Sequence, residues 1–160
     1  MTKTTIICLL ISIAFLSFNT QNTEDRLFGS WKLVGWYDDI PRDINKDGNK
    51  TTDLFSQWHG CKKQSTLILS EDNSGKIVYT GKINNPKCPV DFKSGSFFTT
   101  ESWEVTEENR LGFIGDDYYD SYEIIKLSSK ILILKGSGFI TCCDADISYF
   151  TGGYLEFKKE

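Results

Sequence analysis

The stretch that decides the fold is Gly29-Ser30-Trp31-Lys32-Leu33, near the start of the chain. A glycine permits the unusual backbone angles with which a strand can begin, and the ring of Trp31 is large enough to plug the floor of a small barrel. Residues 30–37 then alternate with the period of a half-buried strand. One face carries Trp31, Leu33, Gly35 and Tyr37, and the other carries Lys32, Val34 and Trp36. The stretch therefore predicts the first strand of a β-rich domain.

The residues before this stretch are typical of a secretory signal. A single positive charge at Lys3 precedes an almost wholly apolar run from Ile6 to Phe18, and the chain turns polar at Asn19. Such a run is too short to cross a bilayer comfortably as an anchor. We therefore expect residues 1–22 to be a signal peptide and residues 23–160 to be one domain. The protein is then secreted or periplasmic, without stable membrane insertion after cleavage.

The composition of the remaining chain argues against several partners and reactions. Without Lys3 the chain has 17 basic and 22 acidic residues, a net charge of −5, which disfavours nucleic acid and anionic membrane surfaces as partners. His59 is the only histidine, which leaves little scope for general-base chemistry. The sequence contains no Gly-x-Ser-x-Gly motif and no phosphate-binding glycine loop. We therefore expect a protein that is not an enzyme.

Short strand-like runs separated by turn residues recur along the chain. They lie at residues 30–37, 65–70, 76–83, 96–105, 110–115, 122–128, 130–134 and 146–157, with a helical turn at 53–58. Tight connections between neighbouring runs favour an up-and-down order. The predicted fold class is all-β: an eight-stranded antiparallel up-and-down barrel with a short helical turn after the first strand.

The alternation of side chains also predicts which residues point into the barrel. They would line an apolar pocket for a small hydrophobic ligand, or they would simply fill the interior of the barrel. This predicted ligand-binding set is Trp31, Leu33, Tyr37, Leu67, Leu69, Tyr79, Trp103, Phe113, Tyr122 and Ile124.

Four cysteines remain once Cys8 leaves with the signal. Cys61 and Cys88 lie at similar distances on either side of the predicted hairpin turn at residues 73–74, so we expect them to form a disulfide. Cys142 and Cys143 are adjacent, and in an extended strand their side chains point to opposite faces. The sequence leaves three states open for this pair: two free thiols, a vicinal disulfide, or crossed bridges to Cys61 and Cys88.

The polar loop after the first strand has the spacing of a calcium-binding loop, with oxygen-bearing side chains at alternate positions and a glycine at the sixth. Leu54 stands at the twelfth position, where an EF-hand loop has a bidentate glutamate. The alternative is a solvated loop held by bonds between its side chains and its backbone. The candidate Ca²⁺ ligands are Asp43, Asn45, Asp47, Asn49 and Asp53.

Together these motifs resemble the lipocalin-like domains of small secreted bacterial proteins, which have calycin-type barrels. The resemblance rests on residues 27–33, the 43–54 loop, Cys61 with residues 67–69, Cys88, residues 102–105, and the paired runs 122–127 and 131–134. It implies an up-and-down barrel that binds a small hydrophobic molecule and has no catalytic residues. The Thr-Asp-Tyr motif of better-known lipocalins is absent, and so is the arginine that stacks on their entry tryptophan. Lys158 or Lys159 is the nearest substitute for that arginine.

Two functions are compatible with this interpretation of the sequence. The first is a secreted carrier of a small hydrophobic ligand. The second is an interaction or structural module of the cell envelope, with a filled barrel that calcium could stabilise. The second function predicts an exposed patch near Trp36 or around residues 116–120.

Overall fold

A computed structural model describes residues 23–59, 63, 65–79, 96–100, 102–115, 117–136 and 152–160. Within them residues 23–27 are helical (α1), and a second helix, α2, covers Leu54–Gln57. The strands are β1 (Gly29–Arg42), β2 (Thr51–Asp53), β3 (Ser65–Leu69), β4 (Gly75–Tyr79), β5 (Ser96–Thr100), β6 (Ser102–Val105), β7 (Arg110–Gly115), β8 (Tyr118–Leu127), β9 (Ile131–Lys135) and β10 (Tyr154–Lys159).

These strands form an eight-stranded, nearly closed antiparallel barrel in up-and-down order, as the sequence predicts. The hydrogen-bonded order is β5-β4-β3-β1-β10-β9-β8-β7-β6. Only one residue separates β5 from β6, so the two count as one strand that joins the ends of this series. β2 is a side strand of three residues paired with β1. Pairing of β1 with β10 completes the ring between the first strand and the last.

The connections between strands alternate between two ends of the barrel, because neighbouring strands are antiparallel. β1 begins near Trp31, at the same end as the turns at residues 70–74, 106–109 and 128–130. We call this the Trp31 end. β1 finishes at the opposite end, beside β2 and α2, which we call the α2 end.

Two asparagines make the tight turns of the Trp31 end possible. Asn73 and Asn109 have φ values of +62° and +58°, in the left-handed region that asparagine tolerates better than most residues. The Asn109 side chain also donates to the carbonyl of Ile124 at 2.9 Å, and its own carbonyl accepts from the Ile124 N–H at 3.0 Å. The 106–109 turn is thereby tied to a neighbouring strand.

A β-bulge in β1 overturns part of the predicted alternation. Leu33 pairs with Phe157, but Gly35 pairs with Glu156, so one extra residue stands in β1 between these pairs. Such a bulge reverses the facing of every later side chain. Trp36 is consequently fully buried, and Tyr37 is half-buried on the outer surface. The predicted facing of both residues was therefore wrong, and Trp36 cannot form an exposed patch.

Other strand bounds differ more modestly from the prediction. The run 96–105 is divided into β5 and β6, β8 already begins at Tyr118, and β10 extends to Lys159. Residues 80–83 and 146–151, which the sequence predicts to extend two strands, lie outside the described residues. Among the helices of the described chain, none has the length and apolar character needed to cross a membrane.

Candidate functional site

The Trp31 end of the barrel is sealed by a tryptophan and the residues around it. Trp31 is fully buried, and its indole N–H donates to the carbonyl of Leu27 in α1 at 2.6 Å. Lys159 lies over the indole, with its ammonium nitrogen 4.8 Å from the ring centroid. The same nitrogen donates to the carbonyl of Arg26 at 3.1 Å, and the Arg26 guanidinium bonds the carbonyl of Leu127. The first and last strands and α1 thus meet at one ring.

A second tryptophan closes the other side of this floor. Trp103 is buried, and its indole N–H donates to the carbonyl of Ser70 at 3.2 Å. Phe28 packs edge-on against it, with ring centroids 5.6 Å apart. The backbone N–H of Trp103 bonds the carbonyl of Asn73 at 2.8 Å, which fixes β6 against the β3–β4 turn.

Eight of the ten predicted ligand-binding side chains lie inside the barrel. Each of them leaves no more than 6% of its surface exposed. A cavity that admitted water would leave exposed surface on its lining, so these side chains pack against each other or their neighbours. The eight are Trp31, Leu33, Leu67, Leu69, Trp103, Phe113, Tyr122 and Ile124.

Tyr79 and Tyr37 are the other two members of the predicted set. The side chain of Tyr79 lies outside the described part of the structure. Tyr37 stacks on Tyr154 on the outer face, with centroids 5.1 Å apart and planes 9° from parallel. Partial burial, and then the charge of Glu156, raises the pKa of Tyr37. Tyr154 donates to Asp39 at 2.8 Å, so this pair belongs to an outer polar surface and not to a pocket.

A phenolic hydroxyl also lies among the buried residues of the predicted set. Tyr122 packs edge-on against Phe113 at a centroid distance of 6.0 Å, and its hydroxyl donates to Asp120 at 3.3 Å. The sequence indicates Asp120 only as part of an exposed acidic turn. Nearby Tyr118 and Tyr119 are exposed, whereas Asp116 lies outside the described residues.

The α2 end contains an aromatic cluster that sequence reasoning missed. Trp36 and Trp58 are both fully buried and meet edge to face, with centroids 5.2 Å apart. Phe55 adds a third ring, 6.4 Å from that of Trp58. The Trp36 indole N–H donates to the carbonyl of Gly152 at 2.7 Å. The signal that could have found this cluster is the apolar spacing of residues 54, 55 and 58 beside a bulged strand.

A single glutamine fixes α2 and the preceding loop to the barrel. The side-chain oxygen of Gln57 accepts from the Ile44 N–H at 2.7 Å. Its amide nitrogen donates to the carbonyls of Arg42 at 3.0 Å and Asn49 at 2.8 Å. Ile44 and Leu54 are buried beside it. Both ends of the loop are therefore held against the barrel, whereas residues 46–50 are exposed to solvent.

The predicted calcium loop is ordered by its own hydrogen bonds. Asp43 accepts from the N–H groups of Asp47 at 3.1 Å and Gly48 at 3.0 Å, and Asp47 accepts from the Asn49 N–H at 2.7 Å. The hydrogen bond from Asn49 lowers the pKa of Asp47. Asp53 instead caps α2, because it accepts from the Ser56 N–H at 3.1 Å. In the described chain no three His, Cys, Asp or Glu side chains are grouped to hold a metal. Binding of calcium by this loop, with Asn45 as one of the ligands, stays a prediction.

Cys61, Cys88, Cys142 and Cys143 lie outside the described residues, so the Cys61–Cys88 disulfide and the alternatives for the adjacent pair stay predictions. The fold itself places the protein among antiparallel β-barrels with one aromatic floor and one helix-covered end. A search against models of known protein families finds none that matches this chain.

Proposed function

We propose that this protein is a secreted, non-catalytic binding protein whose barrel takes up a small hydrophobic ligand, as lipocalin-like domains do. The support is the nearly closed eight-stranded barrel, since a barrel of this size can hold one small ligand. The observation that carries the proposal further is the difference between the two ends of the barrel, which favours entry at the α2 end.

The Trp31 end is poorly suited to opening. Its turns are short, Trp31 bonds Leu27 of α1, and Lys159 of β10 bonds Arg26 of α1 across 133 residues. Opening this end would break contacts of both the first and the last strand of the ring. That disruption approaches global unfolding in its cost.

Within the described residues, the α2 end is covered by one short helix. α2 contains four residues, and its C-terminal contact is one backbone bond from Trp58 to Leu54 at 3.1 Å. A single helical turn has little stability of its own, so its position depends on Gln57 and on the packing of Trp58. Such a segment can move locally while the barrel stays folded. A ligand would displace Trp58 and occupy the space beside Trp36.

Indole N–H signals in ¹H–¹⁵N spectra test this proposal directly, because the chain has four tryptophans. Titration with dodecanoate or retinol is expected to give saturable shifts at Trp36 and Trp58, with much smaller shifts at Trp31. Matching heat in calorimetry would establish the stoichiometry. Absence of saturable binding by either ligand would contradict the carrier function.

The second candidate is an interaction module with a filled barrel. The burial of eight of the ten predicted pocket residues favours it, because tightly packed side chains leave no room for a ligand. Under this function the exposed rings of Tyr118 and Tyr119 would be part of a partner surface. The same titrations separate the two candidates, since a filled barrel leaves all four indole signals unchanged.

A further inference from the structure

A cleft at the Trp31 end of the barrel lies between the 128–130 turn and the end of β10. Its volume is about 480 Å³, which is within the range of binding sites for small molecules. Among the described residues, three lysines, a serine, an isoleucine and one acid line it. They are Ser129, Lys130, Ile131, Lys158, Lys159 and Glu160.

Backbone hydrogen bonds hold the walls of this cleft in place. The N–H of Lys159 donates to the carbonyl of Lys130 at 3.0 Å, which joins β10 to the 128–130 turn. Within the turn, the Ser128 hydroxyl oxygen accepts from the N–H groups of Ile131 at 2.9 Å and Lys130 at 3.3 Å. A site with fixed walls loses little conformational entropy when a ligand binds. The backbone that carries the lysines is therefore already ordered for binding.

The positive charges of the cleft are not balanced by neighbouring carboxylates. The Lys159 ammonium contacts the ring of Trp31 and the carbonyl of Arg26, and both of these groups are uncharged. In the part of the chain that the structure describes, no carboxylate forms an ion pair with Lys130, Lys158 or Lys159. The cleft is therefore a local region of positive charge.

Lys158 also lies beside a fourth lysine. It is directly paired with Lys32 across β1 and β10, and with Ile131 of β9 on its other side. Residues directly opposite each other in an antiparallel pair share a face of the sheet, and like charges at such positions lower stability. The chain as a whole has 22 acidic and 18 basic residues, so the lysines are concentrated here against its overall charge. A bound anion would offset their repulsion.

We propose that this cleft binds the phosphate group of a small, soluble phosphate ester. The lysine ammonium binds phosphate as a compact point charge. Three such groups on one cleft suit a phosphate monoester, which carries about two negative charges at pH 7. The Ser129 hydroxyl is a further donor for a phosphate oxygen, and Ile131 is an apolar contact for the organic part of the ester.

This inference does not depend on the proposed carrier function. The cleft lies on the outside of the Trp31 end, whereas the carrier function places ligand entry at the α2 end. Either site can therefore be present without the other, and each is tested with its own ligand.

Calorimetry of residues 23–160 with glycerol 1-phosphate tests the site, and glycerol is the neutral comparison. At low ionic strength the ester is expected to bind saturably and glycerol is expected not to bind. Added NaCl should weaken the binding, because salt screens the attraction between exposed charges. A site with a millimolar Kd is mostly filled at about 10 mM ligand, so absence of saturable binding up to that concentration would overturn the inference.

Substitutions at the cleft test which charges bind the ester. Lys130→Gln and Lys158→Gln are each expected to weaken binding about fivefold, because each removes one positive charge. Glu160→Gln removes a negative charge from the same cleft and is expected to strengthen binding. Lys50→Gln, in the exposed loop at the α2 end, is the charge-matched control and should leave the affinity unchanged. Equal affinities in all four variants would overturn the site.

NMR titration with the same ester tests the location and separates this site from the carrier site. The amide signals of residues 128–131 and 158–160 are expected to shift, whereas the indole signals of Trp36 and Trp58 should not. Shifts confined to the α2 end would overturn the location. Binding of the ester without binding of any apolar ligand would keep this inference and contradict the carrier function.

Vesicles test the source of the phosphate group, because a lipid headgroup offers the same chemistry as a soluble ester. Phosphatidylcholine vesicles containing phosphatidic acid present a phosphate monoester at a membrane surface. We expect the protein to bind the free ester and not to sediment with these vesicles. Sedimentation with the vesicles in place of binding to the free ester would overturn the assignment to a soluble ligand.

Discussion

The ammonium nitrogen of Lys159 lies 4.8 Å from the centroid of the Trp31 ring and also donates to the carbonyl of Arg26. Trp31 and Lys159 are directly paired across β1 and β10. A cation over an indole is favourable because the face of the ring is electron-rich. A lysine therefore lies on the tryptophan for which the sequence lacks a stacking arginine.

Replacing this lysine is expected to weaken the floor of the barrel. Lys159→Ala should lower the free energy of unfolding by about 1–2 kcal/mol, through loss of the ring contact and of the bond to Arg26. Urea denaturation followed by tryptophan emission measures the change. Lys158→Ala is the matched control, because Lys158 is exposed, and it should change stability by less than about 0.5 kcal/mol. Similar losses in the two variants would contradict the role of Lys159.

Gly153 is expected to be irreplaceable where β10 approaches Tyr37. Its φ is +101°, and a Cβ atom there would lie 2.5 Å from the carbonyl oxygen of Tyr37. Gly153→Ala should cost about 3 kcal/mol or more, because backbone strain and a collision with backbone act together.

Gly48→Ala is the comparison for this substitution. Gly48 has a φ of +89°, but a Cβ atom added there would meet no heavy atom within 4 Å. It should therefore cost only about 1 kcal/mol, from strain alone. Chemical denaturation of the two variants measures the difference, and equal costs would argue against the close approach at Gly153.

Gln57 is expected to control how firmly the 43–53 loop is held. Gln57→Ala removes three hydrogen bonds and leaves the N–H of Ile44 without its acceptor, so stability should fall by about 2–4 kcal/mol. Hydrogen exchange at the Ile44 amide should accelerate strongly, while exchange in β8 should change no more than the global stability requires. Gln57→Glu keeps the acceptor for Ile44 but not the donors. It should retain more protection at Ile44 than Gln57→Ala does.

The ion pair between Asp38 and Arg42 gives stability a specific dependence on pH. Burial alone would raise the pKa of Asp38, but hydrogen bonds from Arg42 and from the N–H groups of Asp39 and Ile40 outweigh it and lower the pKa. The ion pair therefore makes its full contribution to folding stability above the unfolded-state pKa of about 3.9. That contribution is lost as the pH falls through the lower pKa of Asp38 in the folded state.

Asp38→Asn isolates this contribution. The variant should be less stable than wild type by no more than about 1 kcal/mol at pH 7, because 41% of the Arg42 side chain is exposed to solvent, which screens the pair. The difference should shrink below about pH 4. Urea denaturation at a series of pH values measures it, and a difference that stays constant down to about pH 2 would refute the assignment.

Calcium binding by the 43–53 loop is a further prediction from the sequence. If the spacing of Asp43, Asn45, Asp47 and Asn49 reflects an ion site, calorimetry of residues 23–160 should give saturable binding at millimolar Ca²⁺ or tighter. Asp47→Asn should weaken that binding, whereas Asp72→Asn, in the turn at the opposite end, should not. Absence of a heat signal at millimolar Ca²⁺ would contradict calcium binding by this loop, which is then held by its own hydrogen bonds alone.

The barrel could be predicted from the sequence because its signals are local. The alternation around Trp31 and the turn residues at 71–75 and 106–109 each report on their own neighbourhood, and their sum specifies an up-and-down barrel. The facing of Trp36 could not be predicted in this way. The bulge after Leu33 depends on the register between β1 and β10, which no run of neighbouring residues encodes.

Prediction of the candidate site was limited in the same way, because some of its contacts join residues that are distant in sequence. Leu67, Phe113 and Ile124 could be predicted inside because alternation holds around the first two and, in β8, up to the irregularity that follows Ile124. The cluster of Trp36, Phe55 and Trp58 was missed, since it brings a bulged strand together with a one-turn helix. From the sequence, Lys159 could be identified only as a positively charged residue near Trp31. Its contact with the indole depends on the pairing of β1 with β10 that closes the barrel.

Pairing of the first strand with the last also has a consequence for the order of folding. Trp36 bonds Gly152 across 116 residues, and Lys159 bonds Arg26 across 133. Contacts of such long range form slowly, since the intervening chain must lose entropy before they are made. During synthesis, a chain whose β10 is still inside the ribosome cannot close the ring. The barrel can therefore close only after β10 has left the ribosome.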